Sequence, residues 1–145
     1  MKTDQKDLEK LKRAAQEAME NSYTVVYGFP VGASVLTSSG NIYKGCVVDG
    51  MVNGNGTCAE QNAISNAVSN GEYSFEAVYV TAEKSENIRP CGNCLQFIAE
   101  FAELAETNTE IIMDRNKDIE VQKINKLLPD TVNPRNLDTD IEKYI

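Results

Sequence analysis

Three cysteines in two short motifs place the strongest constraint on how this chain folds. One lies in Cys58-Ala59-Glu60, the other two in Pro90-Cys91-Gly92-Asn93-Cys94. Three thiolates can hold one zinc ion and leave its fourth position open for water. For them to do so, two junctions far apart in the sequence have to meet in space. Glu60, two residues after the first cysteine, is placed to handle that water's proton, so the pattern points to hydrolysis rather than structural support. A C-x₂-C pair alone is often structural and Cys-Ala-Glu alone carries little. It is their combination that has weight.

The chain has no histidine. That excludes Ser-His and Cys-His catalysis and every His-containing zinc site, and leaves acid–base work to Glu, Asp, Lys, Tyr or Cys. A fourth cysteine, Cys46, offers a competing arrangement, a closed four-cysteine structural site. It sits in the apolar run Cys46-Val47-Val48, where a buried inert thiol is the simpler reading. Clustered cysteines in a reducing compartment are more often metal ligands than disulfide partners.

Residues 4–20 predict an amphipathic helix, with Leu8, Leu11, Ala15, Ala18 and Met19 at three- and four-residue intervals and Asp4 or Thr3 as its cap. Residues 29–37 and 42–48 read as a β-hairpin around the turn Ser38-Ser39-Gly40-Asn41. A Gly- and Asn-rich loop, 49–57, leads into a helix that starts near Thr57 or Cys58 and stops at Asn70-Gly71. A strand over 76–82, a polar loop 83–89, a helix over 92–105 and a short buried strand at Ile111-Ile112-Met113 follow. Residues 120–128 read as a last short helix, and the polar tail from about 130 shows no periodicity. Hairpin followed by strand–helix alternation predicts one α/β domain over 1–145, a mixed sheet with helices on its faces. Both cysteine motifs then open helices. Free N–H groups and the helix dipole stabilise thiolate charge there, offsetting the net negative charge of three sulfurs on one zinc.

Net charge is −8 and the basic residues are dispersed, which opposes binding to a phosphate backbone. No apolar run approaches the roughly 18 residues of a membrane span, and residues 1–20 lack the apolar core of a signal peptide. The expectations are no nucleic acid, no membrane, a cytoplasmic location and a small substrate. Glu60 relaying a proton from water to a ring nitrogen and then to a departing amine describes hydrolytic deamination of an amino-heterocycle. The plainer role for Glu60 is a first-turn glutamate favourable to the helix dipole.

On these residues the chain resembles the cytidine deaminase family, specifically its small homotetrameric type, from Phe29 to about Pro134. The anchors are Phe29-Pro30-Val31-Gly32-Ala33, Gly45-Cys46, Cys58-Ala59-Glu60, Pro90 to Gln96 and Leu127-Leu128-Pro129. The resemblance implies a three-layer α/β/α sandwich on a five-stranded mixed sheet. It also implies one zinc per subunit on Cys58, Cys91 and Cys94, with Glu60 as the catalytic acid–base. Active sites would be completed by neighbouring subunits of a homotetramer. It puts Phe29 against the pyrimidine ring and the backbone of Ala59 on the base. The reaction implied converts cytidine or deoxycytidine to uridine or deoxyuridine plus ammonia, a step of pyrimidine salvage.

Several positions depart from the family pattern. Where the family has Asn-x-Glu on the ribose hydroxyls, this chain has Val47-Val48-Asp49; Asp49 can keep one hydroxyl contact, Val47 none. Arginines expected after the first and last cysteines are Gln61 and Leu95, with Arg89 a candidate substitute, or simply a solvated loop residue. A C-terminal aromatic that would stack on a neighbour's substrate is Val132. Asn53, in the loop 50–57, is a further candidate substrate contact, its plainer role being support of left-handed backbone. These changes keep two alternatives open: a deaminase of a modified nucleoside of the blasticidin S type, and a non-catalytic zinc-stabilised assembly protein. A polynucleotide-editing enzyme is disfavoured by charge, and a deoxycytidylate deaminase by the absence of a histidine ligand at Cys58. The Ala-rich face of 58–70 and the residues Phe97, Ile98, Phe101 and Leu104 are candidate subunit contacts.

Overall fold

The computed structural model describes every residue of 1–145 except Tyr27 and Ser85. Helix α1 (Gln5–Met19) starts on Asp4, whose carboxylate accepts from the Asp7 N–H at 2.8 Å. Strands β1 (Val31–Thr37) and β2 (Ile42–Cys46) form the expected hairpin. Helix α2 (Ala59–Ser69), strand β3 (Phe75–Ala82), helix α3 (Gly92–Leu104) and strand β4 (Glu110–Asp114) then alternate. Strand β5 (Ile119–Lys123) and the single turn α4 (Ile124–Leu127) follow, and the tail carries two short 3₁₀ turns.

The five strands lie in the order β2-β1-β3-β4-β5. Only β3 and β4 run parallel; the other neighbours are antiparallel. Alternation along the strands divides the core into two. Ala33, Val35, Val78, Val80, Ile111 and Met113 face α2 and α3, while Leu36, Ala77, Tyr79 and Ile112 face Leu11 and Ala15 of α1. Period-two side-chain geometry makes the two faces of one sheet carry different partners. The result is the three-layer sandwich with helices on both sides.

Three expectations need correction. The stretch 120–128 is not one helix: residues 119–123 pair with β4 as an edge strand, and only Ile124–Leu127 coil. Strand β2 ends at Cys46 rather than near Val48, because Val48 turns away to bridge Tyr23 and Thr57. Ala59, Ala63 and Ala67 are fully buried against the sheet within this one chain, and Ile98 nearly so, so they are core rather than subunit surface. The polar loop expected at 83–89 contains Ser85, which lies outside the described residues.

Two glycines set how closely the helices lie on the sheet. A Cβ on Gly32 would stand 2.0 Å from the Ala15 carbonyl oxygen of α1. One on Gly45 would stand 2.3 Å from the Ala63 nitrogen and 2.8 Å from the Ala59 oxygen of α2. Helix α2 therefore rests directly on the backbone of β2, which fixes where its first turn ends up.

Candidate active site

Helices α2 and α3 begin alike. Cys58 and Cys91 are their N-cap residues, both extended (φ −74, ψ 156 and φ −70, ψ 168), and neither side chain makes a capping bond. An N-cap Ser, Thr or Asp would turn its oxygen back onto the first-turn N–H groups. The two thiols are left for another partner, in the positive field of those N–H groups. Cys94 is buried in the first turn of α3, one turn beyond Cys91. Pro90, which cannot donate an N–H, delivers the chain to this helix start in extended form.

The three sulfurs lie within 4.8 Å of one another. Cys58 Sγ is 4.0 Å from Cys91 Sγ, which is 3.5 Å from Cys94 Sγ. Tetrahedral zinc with Zn–S bonds of about 2.3 Å sets its sulfurs about 3.8 Å apart. The donor set and spacing therefore fit a zinc ion, and among the described residues no fourth Cys, Asp or Glu joins the group. Cys46 is outside it, at the end of β2, where its carbonyl accepts a 2.7 Å bond from Asn62 Nδ2. The four-cysteine arrangement is not formed.

The electrostatics of the cluster favour one thiolate first. Hydrogen bonding from Cys94 lowers the Cys58 thiol to about 6, with help from Cys91 and against the effect of burial. The Cys94 thiol is correspondingly pushed up, by that same bond to Cys58 and by burial. Glu60, in the first turn of α2, is only 4% exposed. Burial raises its carboxyl to about 7, reinforced by the Cys58 charge and opposed by hydrogen bonds from its own N–H and from Cys94. A carboxyl in that range can both take and give a proton near neutrality.

Beside the cluster is a cavity of about 290 Å³ lined by Cys58, Asp49, Asn53, Val26, Val47 and the loop through Val52 and Gly56. Of the expected substrate residues it gathers Asp49 and Asn53. Asp49 is buried, and its Oδ2 accepts from the Val26 N–H at 3.1 Å. Asn53 is exposed at the rim. The left-handed position of that loop is Gly54, not an asparagine. Phe29 is 40% exposed just before β1, and Ala59 is fully buried next to Cys58. Val132 instead lines a separate 430 Å³ cavity between α3 and the tail. Arg89 reaches Glu120 of β5 at 2.8 Å and Met113 Sδ at 3.8 Å, and so belongs to a surface ion pair.

Sequence reasoning missed the positioning parts. Gly45 counts in the sequence only as an anchor of the resemblance, yet it seats α2. Asn62 ties the second turn of α2 to the end of β2. A glycine inside a strand pattern is the available signal for close backbone approach.

A family model described as "Cytidine and deoxycytidylate deaminase zinc-binding region" matches residues 5–108. The cytidine deaminase of Sporosarcina psychrophila is 38% identical over 123 residues, covering 85% of this chain and 89% of that protein. A blasticidin-S deaminase of Bacillus cereus is 28% identical over 107 residues, covering 68% and 74%. Among solved structures, the cytidine deaminase from Burkholderia pseudomallei superimposes with a TM-score of 0.76 at 32% identity, covering 86% of this chain and 98% of that one.

Proposed function

This chain belongs to the cytidine and deoxycytidylate deaminase family, and on that premise we propose that it hydrolyses the exocyclic amine of cytidine or 2′-deoxycytidine. Uridine or deoxyuridine and ammonia are the products. The observation that carries this reading is the Glu60 carboxyl buried in the first turn of α2, beside three gathered thiols. Scaffolding alone has no use for such an acid.

Cys58, Cys91 and Cys94 would hold one zinc, which when bound supplies an acidified water and a Lewis acid. Glu60 takes one proton from the attacking water and gives it to the pyrimidine N3, then takes the second from the new C4 hydroxyl and gives it to the amine, which leaves as ammonia as the C4 carbonyl forms. Its burial serves this cycle, since a carboxyl shielded from bulk water does not lose the proton between the two transfers. Helix α2, seated on Gly45, fixes the acid relative to Cys58. Phe29 and the Ala59 backbone would contact the base, with Asp49 and Asn53 contacting the substituent on it.

The working unit is read as a single deaminase domain over 1–145 acting in the cytoplasm on a small nucleoside, as in pyrimidine salvage, with no nucleic acid or membrane partner. Homotetramer formation with shared sites is part of the same reading. Its support is the exposed apolar side chains around the mouth of the site, among them Val26, Met51 and Val52. Among the described residues no helix is long and apolar enough to cross a membrane. The test is zinc content together with ammonia release from cytidine, deoxycytidine, cytosine and blasticidin S. Glu60→Gln should keep its zinc and lose at least about a hundredfold in turnover. Unchanged turnover in that variant would sink the mechanism.

A further inference from the structure

Strand β2 stands at the edge of the sheet, and helix α2 closes that edge with two asparagines. The Val47 N–H pairs back onto the Val31 carbonyl at 3.0 Å. Backbone groups alternate sides along an antiparallel strand, so Lys44 and Cys46 turn their carbonyls from β1 towards the edge with no neighbouring strand. Asn62 Nδ2 donates to the Cys46 carbonyl at 2.7 Å and Asn66 Nδ2 to the Lys44 carbonyl at 3.3 Å. Four helical residues rise about 6 Å and two strand residues about 6.7 Å, so asparagines four apart nearly keep step with alternate carbonyls. The shorter bond is the one at the site end of the helix.

Asn62 also closes a circuit around Cys58. Its own N–H donates to the Cys58 carbonyl at 3.1 Å, and on the preceding side Thr57 exchanges bonds with Val48 at 3.0 and 2.8 Å. Residues 46–48 and 57–62 are thereby fastened twice, once on each side of the cysteine. The contact at Gly45 limits how near α2 can come; the Asn62 side chain stops the first turn from lifting away. Asn66, one turn further along, lies outside the circuit. Both asparagines satisfy an edge carbonyl and so block pairing with another strand, but only Asn62 encloses residues that carry chemistry.

Resting on the deaminase reading above, we infer that Asn62 is a positioning residue of this site, fastening the first turn of α2 so that Cys58 and Glu60 keep their place against Cys91 and Cys94. Asn62 is not a member of the thiol cluster; it acts through the backbone of Cys58. A side chain of the same size without a donor leaves the Cys46 carbonyl unpaired, and the helix start shifts to let water reach it. Groups that orient metal ligands from behind contribute about ten- to a hundredfold in metal affinity or activity.

The experiment compares Asn62→Leu with Asn66→Leu, the same change one turn apart, on zinc-loaded protein. Zinc affinity is read by competition with a chelator, the thiolate–metal absorption after exchange of zinc for cobalt(II), and kcat and KM from ammonia release with cytidine. Asn62→Leu should lose about tenfold or more in zinc affinity and in kcat, keep KM within about twofold, and shift the cobalt absorption. Asn66→Leu should match the parent throughout. Should Asn62→Leu not fold, Asn62→Ala against Asn66→Ala gives the same comparison. A parent-like zinc affinity or a parent-like kcat in the Asn62 variant overturns the inference. Equal losses in the two variants overturn it too, since the pair is then a plain clamp on the helix. If the parent releases no ammonia from any aminopyrimidine, the deaminase reading fails, and zinc affinity and the cobalt absorption decide this inference by themselves.

Discussion

Gly45→Ala tests whether α2 is positioned by direct contact with β2. The added Cβ would meet the Ala63 nitrogen at 2.3 Å, the Asn62 carbonyl carbon at 2.7 Å and the Ala59 oxygen at 2.8 Å. All three are backbone atoms of one helix, so no side chain can rotate aside; α2 has to withdraw by about 1 Å to restore ordinary contact. Overpacking of this sort costs about 1–3 kcal/mol, which for a domain of this size lowers the melting temperature by roughly 2–12 °C. The catalytic effect should be larger in proportion. Ala59 and Glu60 are in the turn that moves, and a misplacement near 1 Å can reduce turnover by about a hundredfold. Calorimetric melting and ammonia release, measured on zinc-loaded protein, give both quantities. Gly92→Ala is the control: nothing lies within 4 Å of a Cβ there, so it should be neutral or stabilise by up to about 1 kcal/mol. If Gly45→Ala melts and turns over like the parent, α2 is not held by this contact.

Glu110 is the second target, a carboxylate buried at the start of β4. Burial works against its charge, but the N–H groups of Lys2 and Thr3, the Thr3 hydroxyl and Lys123 overcome it and hold the carboxyl at about 2. A folded pKa below the ordinary value gives stability that is full above about pH 5 and is lost as pH falls towards 2. Glu110→Gln should therefore cost about 2–3 kcal/mol in urea melts at pH 7 and much less at pH 3; equal costs at both would refute this. Arg89→Ala should change neither zinc content nor turnover and should cost less than about 1 kcal/mol, since Arg89 is half exposed and its partner Glu120 keeps Arg115. Loss of zinc in that variant would return Arg89 to the metal site. Removing zinc with a chelator should abolish ammonia release and lower the melting temperature, both restored by one zinc per chain; activity surviving complete removal would exclude the cysteine cluster from the chemistry.

The cluster was legible because its signal is local. Each cysteine sits at a helix start that the sequence marks on its own, by Thr57-Cys58 after a glycine loop and by Pro90-Cys91. Strand β5 was not, because two periods coexist there. Val121, Ile124, Leu127 and Leu128 recur at helical spacing, while Ile119-Glu120-Val121-Gln122-Lys123 alternates as a strand. Tertiary context decides between them: β4 has an open edge, and the turn at 115–118, with Asn116 at φ 66, folds the chain back onto it. Only at Ile124, where the ladder ends, does the helical period take over.

The division between what was readable and what was not follows from how the site is assembled. Metal-ligand candidates and the acid depend on cap positions, which are set within a few residues. The cavity wall at 47–49 depends on where the chain goes after leaving β2, and that is decided by partners on both sides, Tyr23 and Thr57. These bridges use main-chain atoms, while the Val47 side chain packs against the core. The thiols are held by helix starts and Glu60 by a buried turn, so neither depends on which side chains form that wall. The cluster and the neighbouring cavity wall are thus built by separate devices, helix starts for one and main-chain bridges for the other.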